Sequence, residues 1–78
     1  MTSSEISYWE NEFKAGLRRY GSTRTYTIQN TPNGPARIEV TVMMDRRDYR
    51  PYVESEFNKI KARLPYGNTA VIYYGLNN

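Results

Sequence analysis

The chain contains no cysteine and no histidine among its 78 residues. Without cysteine it can form neither disulfide bonds nor thiolate zinc sites, and it has no thiol nucleophile. Without histidine it lacks the side chain that most often serves as a general base near neutral pH and that most often ligates metal ions. We therefore expect a non-catalytic protein that holds no metal and no cofactor. The lack of cysteine also fits a reducing cytoplasm.

Long hydrophobic stretches are missing as well. The longest unbroken apolar run covers residues 70–74, whereas a membrane-spanning helix needs about 20 apolar residues. Residues 1–5 are polar and lack the basic start and apolar core of a signal peptide. These features predict a soluble protein that does not contact membranes. The chain length predicts a single domain over residues 1–78.

Tyrosine, by contrast, is abundant. Aromatic residues make up 14% of the chain, with eight tyrosines, two phenylalanines and one tryptophan. Tyrosine combines a large apolar area with a polar tip, which suits half-buried sites and interfaces. A domain this small has a limited core. Extra stability must come from dense aromatic packing or from association, so a homodimer is one arrangement to test.

Two amphipathic helices are predicted from apolar residues that recur at spacings of three and four. The first covers residues 4–20 with Ser3 or Ser4 as its N-cap, and the second runs from Asp48 or Pro51 to residue 64. The buried stripe of the first helix contains Ile6, Trp9, Phe13, Leu17 and Tyr20. The stripe of the second contains Val53, Phe57, Ile60 and Leu64.

Three strands are predicted over residues 23–30, 36–43 and 69–75. The turn sequence Thr-Pro-Asn-Gly-Pro at residues 31–35 joins the first two in a hairpin. The helix between the second and third strands predicts a right-handed crossover that makes those strands parallel. We expect an α+β domain in the order α-β-β-α-β. Its three-stranded, mostly antiparallel sheet would have the strand order 2-1-3, with two helices packed on one face.

The other face of the sheet is expected to stay open. In the second strand the apolar residues alternate with polar ones, so Ala36, Ile38, Val40 and Val42 are expected to point into the core. The open face is expected to carry Thr25, Thr27, Arg37, Glu39, Thr41 and one alternating set of the third strand, from Val71 and Tyr73.

The charged residues, eleven basic and eight acidic, give a net charge of +3. Residues 14–37 contain five bases and no acid. A basic patch with interleaved tyrosine is typical of nucleic-acid binding, and this patch comprises Arg18, Arg19, Arg24, Tyr26 and Arg37. In both helices, however, acids come early and bases late, as the helix macrodipole favours. That effect does not account for the two strand arginines, Arg24 and Arg37.

The connection at residues 43–50 is rich in arginine and tyrosine, which are enriched in the energetic centres of interfaces. Its alternating charges, however, favour local ion pairs within the loop. As a contact loop, together with the third strand, it supplies the predicted partner-binding residues Met44, Arg46, Arg47, Tyr49, Arg50 and Tyr73.

The chain lacks the catalytic residues and motifs of most enzyme classes. No glycine-rich phosphate loop is present, and Glu10 and Glu12, two apart on a helix, diverge. A histidine-free, ribonuclease-like toxin is one catalytic alternative. Its trial sets are Arg47, Tyr49 and Arg50, or Arg19, Arg24 and Tyr26. The favoured interpretation is a non-catalytic module, such as a viral or phage-type inhibitor or an adaptor, that binds a larger protein or complex. An RNA- or DNA-binding domain is the main alternative.

Overall fold

Two helices and three strands make up the computed structural model, which describes residues 1–77. The helices are α1 (Ser3–Leu17) and α2 (Arg50–Lys61), and the strands are β1 (Gly21–Gln29), β2 (Ala36–Met44) and β3 (Thr69–Leu76). Short 3-10 turns, Arg18–Tyr20 and Arg47–Tyr49, precede β1 and α2. The predicted α+β class and the order α-β-β-α-β are confirmed. Within residues 1–77, neither helix is both long and apolar enough to cross a membrane.

A capping box starts α1. The backbone amide of Glu5 donates to the Thr2 hydroxyl (3.1 Å), and the Thr2 amide donates to the Glu5 carboxylate (2.8 Å). Hydrogen bonding of the Glu5 carboxylate by the Thr2 backbone amide, and to a smaller extent by the Thr2 side chain, holds the pKa of the Glu5 carboxyl below its usual value. The N-cap is therefore Thr2, and the prediction of Ser3 or Ser4 was wrong. The residue three positions after Thr2 is a glutamate, which is the pairing that a capping box needs.

The strand order is β1-β2-β3 and the sheet is mixed, so the predicted order 2-1-3 and the mostly antiparallel pairing were wrong. β2 is central: it pairs antiparallel with β1 and parallel with β3. A central strand is hydrogen-bonded on both edges and has the least access to solvent. This position suits β2 because its inward residues Ile38, Val40 and Val42 are fully buried. The crossover through α2 therefore returns the chain to the free edge of β2.

The threonines of β1 were predicted to lie on the open face of the sheet, but they lie on the opposite face. Residues directly opposite each other in a sheet share a face, and Thr25 lies opposite the buried Val40. The β1 threonines therefore face the helices, where the Thr27 hydroxyl donates to the Glu10 carboxylate (2.7 Å). Tyr26 lies opposite Glu39 and points to the open face.

The core lies between the sheet and the two helices, both of which pack on the same face, as predicted. Phe13 from α1 and Phe57 from α2 meet there with ring centroids 5.4 Å apart. The buried residues form one cluster: Met1, Trp9, Phe13, Leu17, Ala36, Ile38, Val40, Val42, Met44, Val53, Phe57, Ile60 and Ala70. No other layer within residues 1–77 covers the opposite face of the sheet.

Candidate functional site

The face of the sheet that points away from the helices is the first candidate, and we call it the open face. Strand register assigns its residues: Ser22, Arg24, Tyr26 and Ile28 from β1; Arg37, Glu39, Thr41 and Met43 from β2; Thr69, Val71, Tyr73 and Gly75 from β3. Few of these residues are charged, and the remainder is aromatic, aliphatic, hydroxylic or glycine. The open face thus combines three charged residues with two aromatic and several aliphatic side chains.

Two tyrosines project from the outer strands of the open face. Tyr26 on β1 is 65% exposed and Tyr73 on β3 is 46% exposed. They lie on opposite sides of β2, because β1 and β3 pair with its two edges, and they are nearly level, since Tyr26 is opposite Glu39 and Tyr73 is opposite Thr41. Ile28 is also exposed on this face. These side chains leave apolar area in water that a bound partner would bury.

Glu39 sits at the centre of the open face and links its polar groups. The Arg37 guanidinium lies 3.6 Å from the Glu39 carboxylate. The Tyr73 hydroxyl donates to the same carboxylate oxygen at 3.5 Å. The surface ion pair between Arg37 and Glu39 contributes only about 0–1 kcal/mol to folding. The hydrogen bond from Tyr73 to Glu39 orients the Tyr73 ring. Arg24 has no carboxylate partner within residues 1–77, so the face carries both signs of charge with a small positive excess.

A groove at the carboxyl ends of β2 and β3 is the second candidate, and we call it the β2–β3 groove. It has a volume of about 220 Å³ and is lined by Met44, Arg47, Arg50, Tyr74, Gly75 and Leu76. The carbon at the centre of the Arg50 guanidinium lies 4.4 Å from the centroid of the Tyr74 ring. Burial raises the pKa of the Tyr74 hydroxyl, Glu54 raises it further, and Arg50 opposes these effects.

The predicted partner-binding residues are divided between these two places. Met44 is buried and forms part of the floor of the groove instead of an exposed contact, because it continues the inward alternation of β2. Arg47 and Arg50 line the groove, whereas Tyr73 lies on the open face. Tyr74 was not predicted, since nothing in the pair Tyr73-Tyr74 shows which ring points to which face.

The remaining loop residues, Arg46 and Tyr49, make local contacts. Arg46 forms an ion pair with Asp48 at 3.4 Å. The half-buried Tyr49 ring packs edge-on against Tyr20, with centroids 5.6 Å apart. Both residues therefore help to fix the turn that starts α2, as the local-pair interpretation of this loop expected.

The predicted nucleic-acid residues are only partly brought together. Arg24, Tyr26 and Arg37 share the open face. Arg18 and Arg19 lie on the 3-10 turn before β1, off the sheet. The same separation divides the trial ribonuclease set of Arg19, Arg24 and Tyr26. In the other trial set, Tyr49 packs against Tyr20 while Arg47 and Arg50 line the groove.

A larger depression of about 440 Å³ lies between α1 and α2. Its charged groups already have partners: Arg63 pairs with Glu12, and Lys59 with Glu56. It therefore offers little free charge to a ligand. Within residues 1–77, no cluster of three or more acidic side chains is arranged to hold a metal ion.

Comparison with known proteins adds no constraint: no family model, no curated protein and no solved structure matches this chain. The candidate sites are therefore defined by the geometry and chemistry of the chain itself.

Proposed function

We propose that this protein is a non-catalytic binding module that docks on a larger protein through the open face of its sheet. The observation that carries the proposal is the placement of Tyr26 and Tyr73, both well exposed, on either side of the central strand. Tyrosine and arginine are the residue types that most often dominate binding energy at interfaces. The open face presents both types on a rigid strand scaffold.

The charge pattern favours a protein partner. Glu39 at the centre of the open face offsets one of its two arginines, which leaves little net positive charge for the phosphates of a nucleic acid, whereas a protein surface can complement a face of mixed charge. Arg24 and Arg37 flank this carboxylate and suit acidic side chains on the partner. Ile28 and Val71 add aliphatic area beside the tyrosines.

The size of the open face sets the kind of interface. Eight residues of β3 at about 3.3 Å each, across three strands about 4.8 Å apart, cover roughly 400 Å². Stable complexes bury about 800 Å² on each partner. The interface must therefore be transient or extend beyond the face. The free edge of β3 is the natural extension, because its exposed backbone groups can pair with a strand of the partner.

A small domain that binds without catalysis acts by blocking or linking its partner, as an inhibitor of viral or phage type or an adaptor does. The chain has no cysteine, which is consistent with an interaction in a reducing cytoplasm. The partner class proposed here is a larger protein or complex. Self-association through the same face is the competing outcome. The mass of the isolated protein in solution distinguishes the two, because self-association gives at least a dimer and docking on another protein leaves a monomer.

The double substitution Tyr26→Ala with Tyr73→Ala tests the proposal. We expect it to weaken partner binding by about 30-fold or more, since hot-spot truncation costs at least about 2 kcal/mol. The partner is captured from native cell extract with the wild-type protein, purified, and titrated against each variant by calorimetry.

Tyr66→Ala is the matched control, because Tyr66 is a fully exposed tyrosine in the loop before β3, outside the open face. It should bind like the wild type. Equal affinity of the double variant and the wild type would contradict the proposal, provided that both have the same melting temperature. Failure of the wild-type protein to capture any stoichiometric protein would contradict it too.

A nucleic-acid-binding function is the second candidate, because Arg24, Tyr26 and Arg37 meet on the open face beside Tyr73. Exposed aromatic rings on a sheet can stack single-stranded bases. With two arginines as phosphate contacts, the logarithm of the binding constant should fall with the logarithm of salt concentration at a slope of about −1.4. If a labelled single-stranded oligonucleotide does not bind at low salt, this function is excluded.

A further inference from the structure

The β2–β3 groove occupies a position that general fold rules associate with ligands. β2, α2 and β3 form a parallel β-α-β unit, and the groove opens at the carboxyl ends of both strands. In open α/β sheets built from such units, ligands bind in the crevice outside the carboxyl ends of the parallel strands. α2, with twelve residues, also begins here, so its partial positive charge lies beside the groove.

The two arginines of the groove lack carboxylate partners within residues 1–77. Arg47 and Arg50 make no ion pair there, although acidic residues are close in sequence. Asp48 pairs with Arg46 instead. Glu54 is the one acid that acts on Tyr74, and its effect is opposed by Arg50. The four ion pairs are Arg37–Glu39, Arg46–Asp48, Lys59–Glu56 and Arg63–Glu12.

Tyr74 supplies a third donor. Its hydroxyl is buried and has no hydrogen-bond partner within residues 1–77. A buried polar group without a partner is unfavourable. Tyr74 lines the groove, so a ligand oxygen that reaches the hydroxyl from there would satisfy it. The Arg50 guanidinium packs over the Tyr74 ring at 4.4 Å, which restricts both side chains before a ligand arrives.

We propose that the β2–β3 groove binds the phosphate group of a small organic phosphate. Arg47 and Arg50 neutralise its charge, and the Tyr74 hydroxyl donates to one of its oxygens. Met44 and Leu76 contact the organic part. Two cations and a separate hydroxyl match a dianion with several acceptor oxygens better than a single carboxylate. This site shares only Gly75 with the open face and does not depend on protein docking there.

The test is a titration followed by backbone amide NMR at pH 7.5 and constant ionic strength, with inorganic phosphate, phenyl phosphate and acetate as probes. We expect saturable shifts at Arg47, Arg50 and Gly75, and tighter binding of phenyl phosphate than of inorganic phosphate. The R47Q and R50Q variants should each weaken phenyl phosphate binding by about tenfold, as loss of a charge-assisted hydrogen bond implies.

Arg46→Gln is the matched control, since Arg46 is adjacent in sequence but does not line the groove. The affinity of this variant for phenyl phosphate should stay within about twofold of the wild type, because the Arg46 guanidinium takes part only in an exposed ion pair with Asp48. Equal weakening by R46Q, shifts that do not saturate, or tighter binding of acetate than of phosphate would overturn the proposal. Tighter binding of inorganic phosphate than of phenyl phosphate would overturn the organic ligand class.

Discussion

Phe57→Ala is expected to lower the free energy of unfolding by about 3–5 kcal/mol, because truncating a buried phenylalanine loses its transfer free energy and leaves a cavity. Phe57 is only 3% exposed and belongs to the single core cluster. Its ring packs against Phe13, which joins α2 to α1. A domain of this size has a total stability of roughly 4–12 kcal/mol. The substitution should therefore remove a large share of the stability and shift unfolding to a clearly lower urea concentration.

Urea denaturation monitored by circular dichroism and by Trp9 fluorescence measures this effect. Asn58→Ala is the control, because Asn58 is the exposed neighbour of Phe57 on the same helix. It should be as stable as the wild type or slightly more stable, since alanine is the better helix former. A Phe57→Ala midpoint equal to that of the wild type would show that α2 does not pack on α1 as described.

Gly21→Ala is the second substitution with a large expected effect. A β-carbon at position 21 would lie 2.8 Å from the carbonyl carbon of Met43 and 2.9 Å from the α-carbon of Met44, with the Met43 carbonyl oxygen closer still. These are backbone atoms of β2, so no rotamer change can relieve the overlap. Gly21 is also opposite Met44 at the end of the β1–β2 ladder. We expect a loss of about 3 kcal/mol or more.

Thermal unfolding and amide hydrogen exchange together test this prediction. The Asp45 amide, which donates to the Tyr20 carbonyl at 2.8 Å, is the local reporter. It should exchange much faster in Gly21→Ala than in the wild type. Ser22→Ala, at the next and exposed position of β1, should change neither measurement. Wild-type melting of Gly21→Ala would contradict the close strand approach at this end of the sheet.

Helices, strands and the hairpin could be predicted from the sequence because each rests on local chemistry. The stripe from Trp9 to Leu17 predicts a helix, and the Asn33-Gly34 turn predicts the hairpin. Asn33 indeed has a left-handed backbone, with φ of 62°. The Thr2 cap was also within reach of local reasoning, since Glu5 follows it at capping-box spacing.

Strand order could not be predicted by the same reasoning. Both 2-1-3 and 1-2-3 keep the hairpin strands adjacent, and both allow a right-handed crossover to a parallel third strand. The buried alternation of Ile38, Val40 and Val42 distinguishes them, because the most apolar strand gains most from the central position. Placing the most apolar strand at the centre of the sheet would have given the observed order.

The candidate sites depend on side-chain direction, which period-two patterns leave ambiguous here. In β1, Ile28 shares its phase with Arg24 and Tyr26, so the strand has no clearly apolar side. Only pairing with β2 assigns Tyr26 to the open face. The β2–β3 groove needs residues from the α2 start and both parallel strands, and tertiary packing alone brings Arg50 onto Tyr74.

Photo-crosslinking from the open face tests the docking proposal most directly. A benzophenone amino acid is placed at Tyr26 in one protein, at Tyr73 in a second, and at the exposed loop residue Tyr66 in a third. The proposal predicts that irradiation in native cell extract joins the first two proteins to the same larger protein and leaves the third unattached. Crosslinks from Tyr66 alone, or from all three positions equally, would contradict docking through the open face.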